Sequence, residues 1–220
     1  SQAKGYDVHD QEQILNMPFK LHVLGTPIEK DIVIVSSKNN PELNILPQDI
    51  PGISVFKNSS YMVLWLYSVE NNPPLYYAPT AELKSGKIHW KPLTTKNDEV
   101  RQVFVKGTDI YLLTTKGNPK FKIIKTSFKN PDLKNAKTIV EGNGEWQLSS
   151  DNITQTKDYL IFNKTKNELI TKTYQYEYKT GKISEINIPL KGNISTMSWS
   201  NEDNEIVLVN MGWTIPFNFY

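Results

Sequence analysis

Tyr61-Met62-Val63-Leu64-Trp65 returns along the chain as Ile110-Tyr111-Leu112-Leu113, as Tyr159-Leu160-Ile161-Phe162 and as Ile206-Val207-Leu208-Val209. The first residues of these apolar runs lie 49, 49 and 47 positions apart, so a unit of about 48 residues repeats. Repeats of roughly 40 to 50 residues with about four strands each mark propeller blades, whereas helical repeats of that length carry apolar residues at spacings of three and four. The pattern predicts an all-β fold: a β-propeller fragment of four-stranded antiparallel blades, about three complete and two partial.

One unit shows the order of parts most plainly. Glu99 to Val105 alternates apolar and polar residues, as a strand with one buried face does. Lys106-Gly107-Thr108-Asp109 turns the chain into Ile110 to Thr114, and Thr115 to Pro119 breaks it again before Phe121 to Lys125 and Lys137 to Val140. The preceding unit repeats this with Ile53 to Phe56, Tyr61 to Ser68, Leu75 to Ala78, a turn at Lys84-Ser85-Gly86-Lys87, and Ile88 to Leu93. Its successor runs through Trp146 to Leu148, Tyr159 to Phe162, Leu169 to Tyr178, a turn at Lys179-Thr180-Gly181-Lys182, and Ile183 to Ile188.

Neither end of the chain falls on a unit boundary. Phe19 to Gly25 and Asp31 to Val35 read as the third and fourth strands of one unit, and Ile194 to Trp199, Ile206 to Asn210 and Ile215 to Tyr220 as the first three of another. The expected division of a single propeller segment over 1–220 is a partial blade at 1–50, blades at 51–96, 97–142 and 143–190, and a partial blade at 191–220. Gln11 to Asn16 has room for a turn or two of helix but no sustained helical stripe, and reads as a connection.

Composition narrows the function classes. The 220 residues are 38% hydrophobic and 11% aromatic, enough for a substantial core. Lys and Arg number 25 against 23 acids, spread along the chain, so neither nucleic acid nor a membrane surface is expected as a partner. Cysteine is absent, which excludes disulfides, thiolate metal sites and a cysteine nucleophile. Ser1 to Asp7 lacks the apolar stretch of a secretory signal, and no run approaches the ~20 apolar residues of a membrane span. The expected compartment is the cytoplasm, or the periplasm or exterior if a leader has been removed.

Chemistry-bearing motifs are sparse. A nucleophile elbow needs Gly-x-Ser-x-Gly, and no such pentapeptide occurs. His9, His22 and His89 show no spacing that links them to a serine or carboxylate. Glu202-Asp203-Asn204-Glu205 lacks the glycine turn of a calcium loop and reads as a solvated hairpin tip, so no metal is expected. Glu141 to Gly144 is followed by no helix that would present its amino end to phosphate, so no nucleotide or other cofactor is expected either. Asn58, Asn152, Asn163 and Asn193 begin Asn-x-Ser/Thr tripeptides of the kind that Lys- and Asn-rich sequence produces by chance.

The aromatic residues read mainly as packing. Trp65, Trp90, Trp146, Trp199 and Trp213 lie in or beside expected strands, where large side chains fill the wedge between blades. Tyr174, Tyr176 and Tyr178 share one face of a strand and are expected to pack between blades. Tyr67, Tyr76 and Tyr77, beside the Pro73-Pro74 loop, are the expected exceptions, presented at an open face.

Lys20-Leu21-His22-Val23-Leu24-Gly25-Thr26-Pro27-Ile28-Glu29-Lys30-Asp31-Ile32 resembles a stretch of the prolyl oligopeptidase (S9-type) family of serine peptidases. The likeness continues through Gly107 to Thr115, Asn118 to Ile123 and Trp213 to Tyr220. The resemblance implies the latter half of a seven-bladed propeller, from about the third blade onward. It also implies a role capping an α/β-hydrolase domain that holds the catalytic serine, aspartate and histidine beyond Tyr220, restricting entry to short peptides and lending side chains to substrate pockets. Family members carry an arginine and a cysteine in the loop after a blade's second strand. Ser68-Val69-Glu70-Asn71-Asn72-Pro73-Pro74 stands there with neither, and Glu70 reverses the local charge. Tyr67, Glu70, Asn71 and Tyr76 are therefore the expected substrate contacts, with no catalytic residue in the chain.

Two functions compete at this level. One is a non-catalytic, access-gating propeller of a serine oligopeptidase, whose exposed wedge surfaces and strand edges invite a homodimer. The other is a stand-alone binding propeller for a protein or glycan.

Overall fold

The computed structural model describes residues 15–69, 72–189, 192–198, 200–212 and 215–220, with backbone alone at 215–217. Among them are seventeen strands in five sheets, and every sheet is an antiparallel meander of sequential neighbours. Sheet I pairs β1 (Phe19–Leu21) with β2 (Ile32–Val35). Sheet II holds β3 (Ile50–Val55), β4 (Tyr61–Tyr67), β5 (Leu75–Pro79) and β6 (Lys91–Thr94). Sheet III holds β7 (Val100–Lys106), β8 (Asp109–Thr114), β9 (Lys122–Ser127) and β10 (Lys137–Glu141). Sheet IV holds β11 (Gln147–Gln155), β12 (Tyr159–Lys166), β13 (Ile170–Glu177) and β14 (Ile183–Ile186). Sheet V holds β15 (Asn193–Met197), β16 (Val207–Gly212) and β17 (Ile215–Phe219).

The expected all-β architecture of four-stranded antiparallel units is thus present, with differences at element ends. Strand β6 begins at Lys91 rather than Ile88, because Thr80–Ser85 winds into a 3-10 helix that ends on Gly86 at φ +66°. Phe121 sits at φ +64°, outside the ladder, so β9 starts one residue later than the apolar pattern predicts. Strand β11 runs to Gln155 instead of ending at Leu148. The short helices among the described residues are all of the 3-10 type. Of the expected helical turn at Gln11 to Asn16, Gln11–Ile14 lie outside the described residues, and Leu15–Asn16 form a turn.

The chain folds as two compact units. The first comprises the described residues up to Glu99 with Gly107–Asp109 and Ser127–Pro131, and the second the remainder. In the first, alternate residues of β4, Met62, Leu64 and Leu66, pack with Ile34 and Val35 of β2, Leu43, Ala78 and Trp90. Period-two alternation puts those three side chains on one face of sheet II. Phe128 closes a further aromatic group, stacking on Tyr61 at 4.8 Å and lying 5.4 Å from Tyr77.

In the second unit, Tyr111, Leu113 and Ile123 of sheet III pack against Leu148, Leu160, Phe162 and Tyr176 of sheet IV, with Phe104, Tyr174 and Tyr178 at the margin. Tyr176 and Tyr178 pack against Tyr111 of sheet III as expected, Tyr178 lying 5.2 Å and Tyr176 5.8 Å from it, while Tyr174 stacks at 5.6 Å on Phe162, its cross-strand neighbour within sheet IV. Two glutamines tie β7 to β11. Gln102 donates from Nε2 to the Ser150 carbonyl at 2.6 Å, and Gln155 donates to the Val105 carbonyl at 2.6 Å.

The Tyr178 hydroxyl is buried with no hydrogen-bond partner among the described residues. Burial first, and then the neighbouring Tyr176, push its phenol above the ordinary value of 10.0. In the unfolded chain the phenol ionises near its ordinary value while the native chain keeps its proton. The native state then binds more protons, and stability falls as pH rises above about 10. Tyr178→Phe is expected to change stability by no more than about 1 kcal/mol at neutral pH, since no bond is lost. Urea denaturation at neutral pH and at about pH 11 should show a smaller alkaline loss in the variant than in the parent sequence.

Candidate functional site

The four expected contact residues meet different fates. Glu70 and Asn71 lie outside the described residues. Tyr67 ends β4, one residue after Leu66, which faces the core of the first unit, so its ring points to the opposite face. There it stacks on Trp65, with ring centroids 5.8 Å apart and planes 6° from parallel. Tyr76 stands across from Leu64 and packs with the Leu64 face. Sheet II therefore separates Tyr67 from Tyr76.

Tyr77 departs from the expected open presentation. It follows Tyr76 by one residue, turns to the other face and is buried against Tyr61 and Phe128, so it is a packing residue. Of the tryptophans, Trp90 is buried in the core and Trp65 and Trp146 are half-buried, while Trp199 and Trp213 lie outside the described residues.

Tyr76 does border a cleft. A cavity of about 320 Å³ opens at the end of sheet II between the Leu43–Asp49 segment and the loop residues Ser68, Val69, Pro73 and Pro74. Its wall is built by local chemistry. Pro41 starts a single 3-10 turn that Asn44 ends at φ +49°, and Asp49 accepts the Leu46 amide at 2.9 Å to hold the return. The Tyr76 hydroxyl donates to the Leu43 carbonyl at 3.4 Å. Burial, reinforced by the negative charge of Glu42, raises the Tyr76 phenol above its ordinary value, so it stays a neutral donor at physiological pH. Val69 and Leu46 give the rim an exposed apolar edge, while Gln48, Asp49 and Lys96 supply polarity. Such a cleft can take an apolar side chain with a hydrogen-bonding group beside it.

His9 lies outside the described residues, and His22 and His89 have carboxylate partners that spacing along the chain does not reveal. His22 Nδ1 lies 2.7 Å from Asp31 because the β1–β2 hairpin folds back, and His89 Nδ1 lies 3.3 Å from Glu82. Neither bonds a serine among the described residues, so no nucleophile–base pair forms there. Among the described residues no group of three His, Cys, Asp or Glu side chains converges as a metal site.

A second feature escaped the apolar pattern. In β11, Leu148 stands opposite Lys164 and Ile153 opposite Phe162, so Ser149–Asn152 face only Asn163. This wide bulge throws four polar residues out of the ladder beside a cavity of about 310 Å³. A run of Ser-Ser-Asp-Asn inside a strand, all poor strand formers, is the signal that marks it.

Repeated antiparallel four-stranded meanders, each with a buried apolar run in its second strand, define a β-propeller segment. The family profile of the prolyl oligopeptidase N-terminal beta-propeller domain matches residues 4–220, and the chain belongs to that family. Among solved structures, apo prolyl oligopeptidase B from Galerina marginata is similar with a TM-score of 0.75 and 18% identity over 93% of this chain and 28% of that one. A structure from a study of two prolyl endopeptidases matches with a TM-score of 0.74 and 17% identity, covering 95% of this chain and 29% of that one. Oligopeptidase B from Leishmania major matches with a TM-score of 0.63 and 13% identity, covering 90% and 28%. The chain thus spans less than a third of the length of these structures. No curated protein sequence matches it.

Gly52 supports the Tyr67–Trp65 stack, since a Cβ added there would lie 2.6 Å from Tyr67 Cε2. Gly52→Ala is expected to swing the exposed Tyr67 ring off Trp65. Aromatic pairs of this kind contribute about 0.5–1.5 kcal/mol, so the chain should stay folded. The Trp65 indole N–H resonance should shift while the resonances of Leu64 and Leu66 hold their positions.

Proposed function

We propose that residues 1–220 form one non-catalytic segment of the propeller of a prolyl-oligopeptidase-like serine peptidase. In that role it gates the access of short peptides to an α/β-hydrolase domain outside this chain. The family match across residues 4–220 carries the reading. In prolyl oligopeptidases a propeller of this family accompanies an α/β-hydrolase domain, and the chain itself has no nucleophile elbow. Cysteine is absent, and no arginine stands in the loop after β4, so the segment makes its contacts with other chemistry.

The residues assigned to those contacts are Tyr67, Glu70, Asn71 and Tyr76. Because sheet II separates the two tyrosines, they serve different parts of a peptide. Tyr76 acts from the cleft beside Pro73 and Pro74, and Tyr67 acts from the opposite face with Trp65. Glu70 sets a negative charge in the loop between them in sequence.

The purified chain is expected to cleave no proline-containing peptide, while the full-length parent does. In that parent, Tyr76→Ala should lower kcat/KM for peptides roughly tenfold, about 1.4 kcal/mol of lost contact, and leave a small ester substrate unaffected. Peptide cleavage by the chain alone, or an equal loss for ester and peptide, contradicts the proposal.

Strand edges give the chain a further partner. Strand β17 pairs with β16, a pairing that Tyr220 extends through reciprocal bonds with Leu208, and its other edge meets no strand among the described residues. Phe219 and Tyr220 are exposed there. Unpaired edges with apolar side chains recruit other strands, so a homodimer through these edges is expected. Sedimentation velocity should give twice the monomer mass, and a clean monomer at high concentration would rule it out.

A further inference from the structure

The two faces of sheet IV are chemically unlike. Toward sheet III the packing is apolar and aromatic: Leu160, Phe162 and Tyr176 meet Tyr111, Leu113 and Ile123. One step along β12 reverses the side of the sheet, and there Asn163, wholly buried, donates from Nδ2 to the Ile194 carbonyl of β15 at 2.6 Å. That bond fixes the Asn163 amide against sheet V. Thr173 stands directly opposite Asn163 in the β12–β13 ladder and is 1% exposed. Directly opposed residues share a face, with Cβ atoms about 4.5–5.5 Å apart, so the Thr173 side chain lies beside the Asn163 amide. From sheet V, alternation buries Ile194 and Thr196 on one face of β15, Thr196 being 9% exposed.

Buried oxygens of this layer stand without a bond. Asn163 Oδ1, Thr173 Oγ1 and Thr196 Oγ1 have no hydrogen-bond partner among the described residues. An oxygen withdrawn from water without a replacement bond costs more than a typical hydrogen bond contributes. Buried polar groups of folded proteins are accordingly paired, either with protein or with ordered water. The sheets are closely seated beside these oxygens: the Thr171 amide donates to the Gly192 carbonyl at 3.1 Å, and a Cβ at Gly192 would clash with Asn210 Oδ1. The chemistry of the lining selects its occupant. Neither carboxylate nor ammonium is among the three groups, so a cation would go uncompensated. Two hydroxyls that donate or accept and one amide oxygen that only accepts are the complement of water, which does both.

We propose that the layer between sheets IV and V holds a buried water site. One water donates to Asn163 Oδ1 and bonds the hydroxyls of Thr173 and Thr196, about the three bonds that buried waters typically make. It joins β12 and β13 of sheet IV to β15 of sheet V, beside the direct Asn163–Ile194 bond. Sheet IV is thus dry on the side of sheet III and hydrated on the side of sheet V. The site stands independently of the peptide-gating role proposed above.

Thr173→Val, Thr196→Val and their combination in the 220-residue chain test the site, because valine matches the shape of threonine and removes the hydroxyl. Oxygen-17 relaxation dispersion of the solvent reports waters held inside a protein and is blind to the protein's own hydroxyls. The double variant is expected to lose the increment of one long-lived water. Each single variant is expected to melt at a lower temperature than the parent sequence, since the water loses a partner. A hydroxyl that bonded nothing would give the opposite sign, its removal raising the melting temperature. A melting temperature raised by either substitution, or undiminished dispersion in the double variant, overturns the site. So does a parent chain that sodium or potassium chloride stabilises beyond choline chloride at equal ionic strength, which would assign these oxygens to a metal ion.

Discussion

Each complete sheet among the described residues has a second strand whose central run is shielded from water on both faces. Ile110, Tyr111, Leu112 and Leu113 of β8 are wholly buried, as are Met62, Val63 and Leu64 of β4 and Leu160 and Phe162 of β12. A strand with apolar residues at consecutive positions has no solvated side, so it is stable only with its sheet covered above and below. Each such side chain contributes roughly 1.5–3 kcal/mol on burial, against about 0.5–1.5 kcal/mol for a typical hydrogen bond. Packing therefore decides that the sheets stack. In the second unit, the face of β8 that carries Tyr111 and Leu113 meets the face of sheet IV that carries Leu160, Phe162 and Tyr176.

Apolar contact alone would let one sheet slide over the next, and directional bonds choose the register. The fifth position of each repeated run shows how: Trp65, Thr114, Asn163 and Asn210 occupy it, spaced 49, 49 and 47 apart. Thr114 accepts the Lys116 amide at 2.9 Å and so ends its own strand. Asn163 is fully buried and donates across to the Ile194 carbonyl of β15 at 2.6 Å, tying sheet IV to sheet V. A buried amide that satisfied nothing would cost more than the bond gains, so such a residue holds only one arrangement of its neighbours. Gln102 and Gln155 act in the same way between β7 and β11.

What the sequence shows and what it hides follow from this division. Second strands announce themselves, because each carries a run of consecutive apolar residues and the period is long enough to count. Their partners are legible only through alternation, which blurs where a strand is half exposed: it starts β6 at Ile88 and β9 at Phe121, where the structure starts them at Lys91 and Lys122. Tyr77 shows the parity problem. One step along β5 separates it from Tyr76, and that step carries it from a cleft into a packed aromatic group. The His22–Asp31 contact is hidden because it depends on how the connection after β1 returns, which spacing does not encode. Asn163 shows the converse: a tripeptide that reads as a surface acceptor sits fully buried with its amide nitrogen committed to a backbone carbonyl.

The candidate sites could not have been written as motifs. With the central runs of the second strands buried, polar chemistry is left to the points where they end or where a neighbour leaves the ladder. In the first unit the cleft forms just past the end of β4, at Ser68 and Val69, and its opposite wall comes from Leu43–Asp49, about twenty residues earlier. In the second unit the cavity forms where β12 gives way to the turn at Asn167 and Glu168 and β11 bulges at Ser149–Asn152. Each site joins a strand end to a segment from another part of its unit, and the 48-residue repeat conceals the difference between them. The same position after a second strand carries Ser68 and Val69 in one sheet and Asn167 and Glu168 in another. Such a position is free to vary because the ladder ends there and no packed face constrains it. The repeat thus builds sheet after sheet on one plan, and the strand ends give each sheet its own chemistry: an apolar rim beside a tyrosine in one, a polar bulge beside a tight turn in another.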